Sequence, residues 1–190
     1  MKKALLIASV LVVAVISTAC INNIAVQELN NKAAEYMQKG DYESAMSRLQ
    51  ASLDLDSTMY QTYYNLGVAA INANKYDKAV EALEDGIKIK PDFADFYYSL
   101  GVAQIGLADD IIEKATVEEE AEADSEKGNV DIKRDITAQE KLNAIELKKS
   151  AIVNLNKYLE FVPNSKDKES INEMIMQCEE FITEDNKKEE

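Results

Sequence analysis

The chain contains no histidine and no tryptophan, and only two prolines, two cysteines and six glycines among 190 residues. Each shortage removes a class of explanation. Without histidine there is no Ser-His or Cys-His pair to activate a nucleophile, and no imidazole to hold a metal. The few glycines stand at helix-packing or turn positions, not in a phosphate-cradling loop. So few turn-formers also argue against many short strands and for helices with short connections. Positive charge is scarce as well: 21 Lys and Arg stand against 35 Asp and Glu, a formal net charge of −14. Such a surface repels nucleic-acid phosphate and anionic headgroups, so no nucleic-acid partner is expected. The acidic run beginning at Glu118 lacks the alternating Asp/Asn ligands and central Gly of a calcium loop. No catalytic set, cofactor site or metal site emerges, and the chain reads as a non-enzyme.

What is present begins at the N-terminus. Lys2 and Lys3 precede an apolar run from Ala4 to Ile16 that only Ser9 interrupts, and Ser17, Thr18 and Ala19 then lead to Cys20. This is a positive n-region, an apolar h-region and a small-residue cleavage site, too short to span a bilayer comfortably. Residues 1–19 are expected to be a signal peptide and the remainder to be exported. The ending "STAC" resembles the lipobox of bacterial lipoproteins, in which the Cys becomes the acylated first residue of the mature chain. The resemblance implies a palmitate-type lipid anchor on Cys20 and a place at the membrane of the cell envelope, the outer membrane or periplasm in a diderm. Ser17 stands where that motif usually has Leu, and Ser17-Thr18-Ala19 would equally serve an ordinary signal peptidase. The other cysteine, Cys178, shares a helical face with Ile171, Ile175 and Ile182, which predicts a buried small hydrophobe instead of a reactive thiol.

A period of 34 runs through the middle of the chain. Tyr63 and Tyr97, Leu66 and Leu100, and Gly67 and Gly101 are each 34 apart, as are Ala45 and Ala79, Leu49 and Leu83, and Leu55 and Ile89. Tyr63, Leu66, Gly67 and Ala70 fall on one face of a first helix; Ala79, Leu83 and Gly86 make the facing stripe of a second. The small residues Gly67, Ala79 and Gly86 let the two axes approach. "ANKYDKA" turns the chain between them with Tyr76 at the corner, and Pro91 follows the second helix.

Tyr63, Leu66-Gly67, Ala79, Leu83 and Pro91 resemble the pattern of the tetratricopeptide repeat. The resemblance implies an all-α solenoid of antiparallel helix hairpins. A first repeat over 26–59 is weaker at its start, where Lys32 occupies a normally apolar place, as suits a half-exposed terminal unit. A second covers 60–93. The third, 94–163, starts in register but is split. Ala79 and Ala151, and Pro91 and Pro163, are each 72 apart, 38 more than the period. An acidic insertion at about 109–146 is therefore expected between its helices, with a short tether at 20–25 before the stack. Thr137-x-x-Glu140 is a capping-box pattern that predicts where the second helix restarts. Two over-long helices are expected to carry a poorly ordered tip near Ser125–Asn129. Tyr158 takes the place of Gly86, which predicts altered packing against the last helix. Residues 164–190 supply a capping helix and a charged tail.

In this family the concave face is lined from first helices, and position by position that implies Met37, Tyr64, Val68, Ile71, Tyr98, Val102 and Ile105 as a partner-binding groove. Asn30, Ala34, Gln61 and Asp95 hold further lining positions. The Lys and Asn with which some relatives clamp a carboxylate tail are replaced by Tyr64, Val68, Tyr98 and Val102, so an apolar helix or extended peptide is the expected ligand. The same residues would equally be core if the N-terminal segment or the last helix covers them. The function that follows is an adaptor or scaffold of the bacterial envelope with a protein partner. A soluble periplasmic carrier holding a small apolar ligand within the stack is the alternative.

Overall fold

The structure, a computed structural model, describes residues 23–123 and 136–186. The leader, Cys20 and the expected tip at Ser125–Asn129 lie outside the described residues. Those described form seven helices and no strand: α1 over 23–38, α2 Tyr42–Leu55, α3 Tyr60–Asn72, α4 Tyr76–Ile89, α5 Ala94–Ala123, α6 Ala138–Phe161 and α7 Lys168–Asn186. Among them no helix is long and apolar enough to cross a membrane. From α2 onward each helix packs on the next, and α3 also touches α5; α1 meets α2 and α3 through Asn30.

The hairpin turns explain the repeat and its interruption together. The turn after α1 holds Gly40 at φ 73°, and the turn after α3 holds Asn74, 34 residues later, at φ 56°. At each, the following N–H reaches back to the helix: Asp41 to the Tyr36 carbonyl at 2.9 Å, Lys75 to that of Ala70 at 2.8 Å. A left-handed residue lets the chain satisfy its last carbonyls and leave, and Gly and Asn bear that conformation most readily. The same place in the third repeat holds Ala108, which is buried and helical. Nothing there favours the left-handed stop, and α5 runs on for 30 residues where α3 has 13. The chain returns at the expected signal. Thr137 caps α6 through its side chain, which accepts from the Glu140 N–H, while the Glu140 carboxylate accepts from the Thr137 N–H at 2.9 Å. From there the register is restored. Asp56, Lys90 and Val162 close α2, α4 and α6 with one bond type, an N–H to the carbonyl four residues back.

Small residues set the helix spacing. A Cβ placed on Gly67 would lie 2.5 Å from the Leu83 side chain, and one on Gly101 would lie 2.8 Å from Leu155. These are the same contact in successive repeats, the second closed across the insertion. Leu83 and Leu155 are fully buried beneath them, each contributing roughly 1.5–3 kcal/mol. Gly86 leaves room for the Phe96 ring of the next repeat, and Gly106 for the ring of Tyr76. Where Tyr158 replaces Gly86, the residue in the place of Phe96 is the exposed Lys168, so no ring competes for the space. Tyr158 packs on Tyr98 instead, with ring centroids 5.4 Å apart, and its hydroxyl lies 3.3 Å from Ser165 Oγ. At the first repeat Lys32 is solvent-facing and bridges Glu28 at 3.0 Å. At the other end α7 buries Ile171 and the free thiol of Cys178.

Candidate functional site: the inner row of helices

α3 and α5 touch directly, whereas α2 and α4 are separated by a cleft of about 570 Å³ floored by Tyr63 and Leu66 of α3. First helices thus crowd together while second helices splay, so the stack bends with the α3 and α5 faces inside.

α3 contains no charged residue. Gln61, Tyr64, Val68 and Ile71 fall at i, i+3, i+7 and i+10, and Asp95, Tyr98, Val102 and Ile105 repeat that spacing on α5. The seven groove residues expected from the sequence are all half-buried: Met37 on α1, Tyr64, Val68 and Ile71 on α3, and Tyr98, Val102 and Ile105 on α5. Within that set the surroundings differ. Met37, Tyr64 and Ile71 pack against the main core. Tyr64 belongs to an aromatic cluster, 5.2 Å from the Phe93 ring and 5.8 Å from that of Phe96, both edge-on. Its hydroxyl is pushed up from its ordinary pKa by burial first, then by the charge of Asp95, against a hydrogen bond with Ser99. Tyr98 lies against Tyr158; burial raises its hydroxyl too, followed by the charge of Asp167. Cys20 lies outside the described residues.

Of the further lining positions, Ala34, Gln61 and Asp95 are exposed. Asn30 is committed inside the stack: its amide donates to Ser52 Oγ at 2.9 Å and accepts from Thr62 Oγ1 at 3.2 Å. Ser52 and Thr62 are buried, so this triad satisfies polar groups at the junction of α1, α2 and α3. Three features were not singled out from the sequence. Phe93, in the turn before α5, packs on both Tyr60 and Tyr64; the aromatic density of "PDFADFYY" was its only signal. Asp167, in the connection between α6 and α7, supplies the charge that adds to burial in raising the Tyr98 hydroxyl. Lys148 is buried between Asp109, at 2.6 Å, and the ring of Phe181.

The outer cleft has a different chemistry. Glu43, Asp54, Glu81 and Asp85 line it with one lysine, Lys78, above an apolar floor that includes Met46 and Leu53. Two of these acids have cations of their own: Glu43 bridges Lys75 at 2.8 Å and Asp85 bridges Lys88 at 2.7 Å.

A family model described as tetratricopeptide repeat matches residues 36–105. Among solved structures, the second such domain of human RPAP3, in complex with an HSP70 peptide, is similar at 11% identity and a TM-score of 0.58, covering 83% of this chain and 98% of that one. The TPR2B domain of yeast Sti1, in a complex with pHsp70, is 16% identical with a TM-score of 0.53 over 83% and 98%. The Yersinia enterocolitica type III secretion translocator chaperone SycD is 18% identical with a TM-score of 0.53 over 81% and 91%. At these identities the likeness is one of fold. No curated protein sequence matches the chain.

Proposed function

Because the helical stack belongs to the tetratricopeptide repeat family, we propose that it serves as a protein-interaction adaptor that docks an apolar peptide or helix along the inner faces of α1, α3 and α5. The observation that carries this reading is the pair of matched, half-buried stripes: Tyr64, Val68 and Ile71 beside Tyr98, Val102 and Ile105, on helices in contact. Side chains left half-open in a continuous row gain further burial when a partner covers them, at about 25 cal/mol per Å². The human neighbour is in complex with an HSP70 peptide and the yeast one is a pHsp70 complex. This chain presents no lysine or arginine on α3 to meet a peptide carboxylate, so its partner chemistry differs.

The adaptor works in the bacterial cell envelope, held at the membrane by lipid on Cys20. What supports this is the leader and the "STAC" sequence ahead of the stack. Asn23, the first described residue, is already helical and stands three positions after Cys20, so an acylated chain would hold its first repeat within roughly 10 Å of the anchoring point at about 3.3–3.6 Å per residue. The carrier alternative gains nothing from the outer cleft, whose carboxylates suit no apolar ligand.

Photo-crosslinkers placed at Val68 and Val102 on one side, and at Ser47 and Lys78 on the other, test the docking face in cells. A discrete adduct from the first pair alone supports the reading. Adducts from the second pair alone overturn it. Metabolic labelling with a fatty acid tests the anchor: label on the natural chain and none on Cys20→Ala is expected, and an unlabelled natural chain rejects lipidation.

A further inference from the structure

The exposed apolar residues of the stack gather at one edge. Leu55, Ile89 and Phe161 are the last residues of α2, α4 and α6, and each is about two-fifths exposed. Because consecutive helices alternate in direction, these ends share an edge with the starts of the first helices. Contacts across that edge hold the two sets together. The Tyr97 ring, in the first turn of α5, lies 5.5 Å from that of Phe161, and Tyr60, which opens α3, lies 5.3 Å from Phe93. α1 begins at the same edge, since Asn30 bonds Ser52 near the end of α2 and Thr62 near the start of α3. Its second residue, Ile24, is about two-thirds exposed. Apolar side chains exposed singly are ordinary; one at the end of every second helix makes a surface. The opposite edge, where α1 and α3 end and α2 and α4 begin, has no exposed large hydrophobic among the described residues. From that opposite edge α5 runs on to Ala123, into a segment with thirteen acids against five bases between 109 and 146.

The tether selects between the two edges. Cys20 stands three positions before Asn23, at the apolar edge and remote from the acidic insertion. We propose that this edge is seated on the bilayer, with Ile24, Leu55, Ile89 and Phe161 entering the boundary between headgroups and acyl chains. The inference rests on the reading of Cys20 as the anchored residue and goes beyond it in fixing how the stack stands. Four partly exposed side chains are too few to hold the chain at a membrane unaided. A covalent lipid keeps them at the surface, where their insertion becomes an intramolecular step. The charges beside them are mostly answered: Lys88 pairs with Asp85 and Lys90 with Asp92 on either side of Ile89, and Lys157 pairs with Glu160 while lying over the Phe161 ring. Asp54, Asp56 and Asp95 stand at the same edge, so the attraction is apolar and suits zwitterionic headgroups better than anionic ones. Seated this way the helices stand on end. The inner face of α3 and α5 then opens sideways, and α5, 30 residues long, carries its far end up to about 45 Å outward at roughly 1.5 Å per residue.

The experiment takes the natural chain, purified from bacterial membranes with its mass recorded, into vesicles of zwitterionic phosphatidylcholine brominated near the headgroup end of its acyl chains. The chain has no tryptophan, so one indole introduced by Leu55→Trp, Ile89→Trp or Phe161→Trp reports its own depth. Lys39→Trp and Asn72→Trp, at exposed positions, report from the opposite edge. Circular dichroism checks each fold, and three independent positions keep the test open where one variant does not fold. Emission from the three apolar-edge positions is expected to fall about twofold against unbrominated lipid, as suits side chains about 5–10 Å into the boundary. Emission from Lys39→Trp and Asn72→Trp is expected to stay unchanged. An acylated chain whose apolar edge is quenched no more than these two overturns the inference and leaves the anchor standing. Quenching from the opposite edge alone reverses the orientation and overturns it as well. A natural chain without an added acyl mass removes the anchor, and the inference with it.

Discussion

Lys148 Nζ, on α6, lies 2.6 Å from Asp109 Oδ1, on α5, immediately beyond the point where the third repeat's first helix would have stopped. The pair clasps the root of the extended hairpin. It is lopsided: the lysine side chain is 8% exposed and the aspartate 59%.

That asymmetry predicts unequal mutants. Asp109→Ala strands a buried ammonium whose other neighbour is the Phe181 ring, and is expected to cost about 1–2 kcal/mol, less than a fully buried pair because water reaches the aspartate. Lys148→Met keeps the apolar stem and the contact with Phe181, so it should cost less than about 1 kcal/mol. Urea denaturation of both variants measures this. A larger loss from Lys148→Met would mean that the charge, and not the packing, holds the junction.

Gly86→Ala is expected to destabilise the chain by about 1–3 kcal/mol, since the new methyl meets the buried Phe96 ring. Phe96→Leu in the same background should recover part of that loss if the clash is its source. Gly40 is different: the space around it is open and only its positive φ constrains it. Gly40→Asn should therefore be mild and Gly40→Ala worse, because Asn already serves at the equivalent turn, at residue 74.

Asp41 caps α2 by accepting from the Ser44 N–H at 3.1 Å. Its carboxyl sits below the ordinary aspartate value, first through the side-chain hydrogen bond with Ser44 and then through the backbone one. A depressed folded value means that the cap's contribution is present above the unfolded pKa, near 3.9, and is lost as pH falls through the lower folded one. Thermal melts from pH 6 down to pH 2.5 should show the gap between the natural chain and Asp41→Ala closing across that window. A gap that stays constant would show that the carboxylate's charge plays no part.

The thiol of Cys178 is 1% exposed, and its pKa is raised, chiefly by burial, against the opposing charge of Lys148. Little thiolate forms near neutrality, and what forms is covered. Ellman's reagent at pH 8 is expected to label it at least about a hundredfold faster in denaturant than in buffer. Fast labelling of the folded chain would mean that α7 does not stay seated on α6.

Much of the fold was written in the spacing. Gly67 and Gly101, Leu83 and Leu155, and Pro91 and Pro163 each mark a geometric requirement that recurs with every unit, so periodicity alone located them. The capping box at Thr137 was legible because its two side chains are three residues apart. The end of α5 was harder. The stop depends on one residue in a left-handed conformation, and Ala108 announces only that such a residue is missing, not how far the helix then runs. At the site, the facing stripes followed from helical geometry, but their depth did not. Tyr64 is half-covered because Phe93, in a turn outside the helical pattern, folds over it. The clasp between Asp109 and Lys148 and the contact of Tyr98 with Tyr158 join residues whose nearness only the packed stack creates.

The splayed outer helices give the stack a mechanical property. α3 and α5 already pack against each other, which resists further curling on the inner side; straightening would close the gap between α2 and α4. Closing that gap drives Glu43, Asp54, Glu81 and Asp85 toward one another around one lysine, Lys78, while Lys75 and Lys88 pair with two of the four from its margins. That repulsion reaches about 30 Å at 0.01 M salt and about 3 Å at 1 M. Ionic strength is therefore expected to tune the curvature, with the arc held open at low salt and relaxed at high salt. Small-angle scattering across that range would read the change in width of the surface offered to a partner.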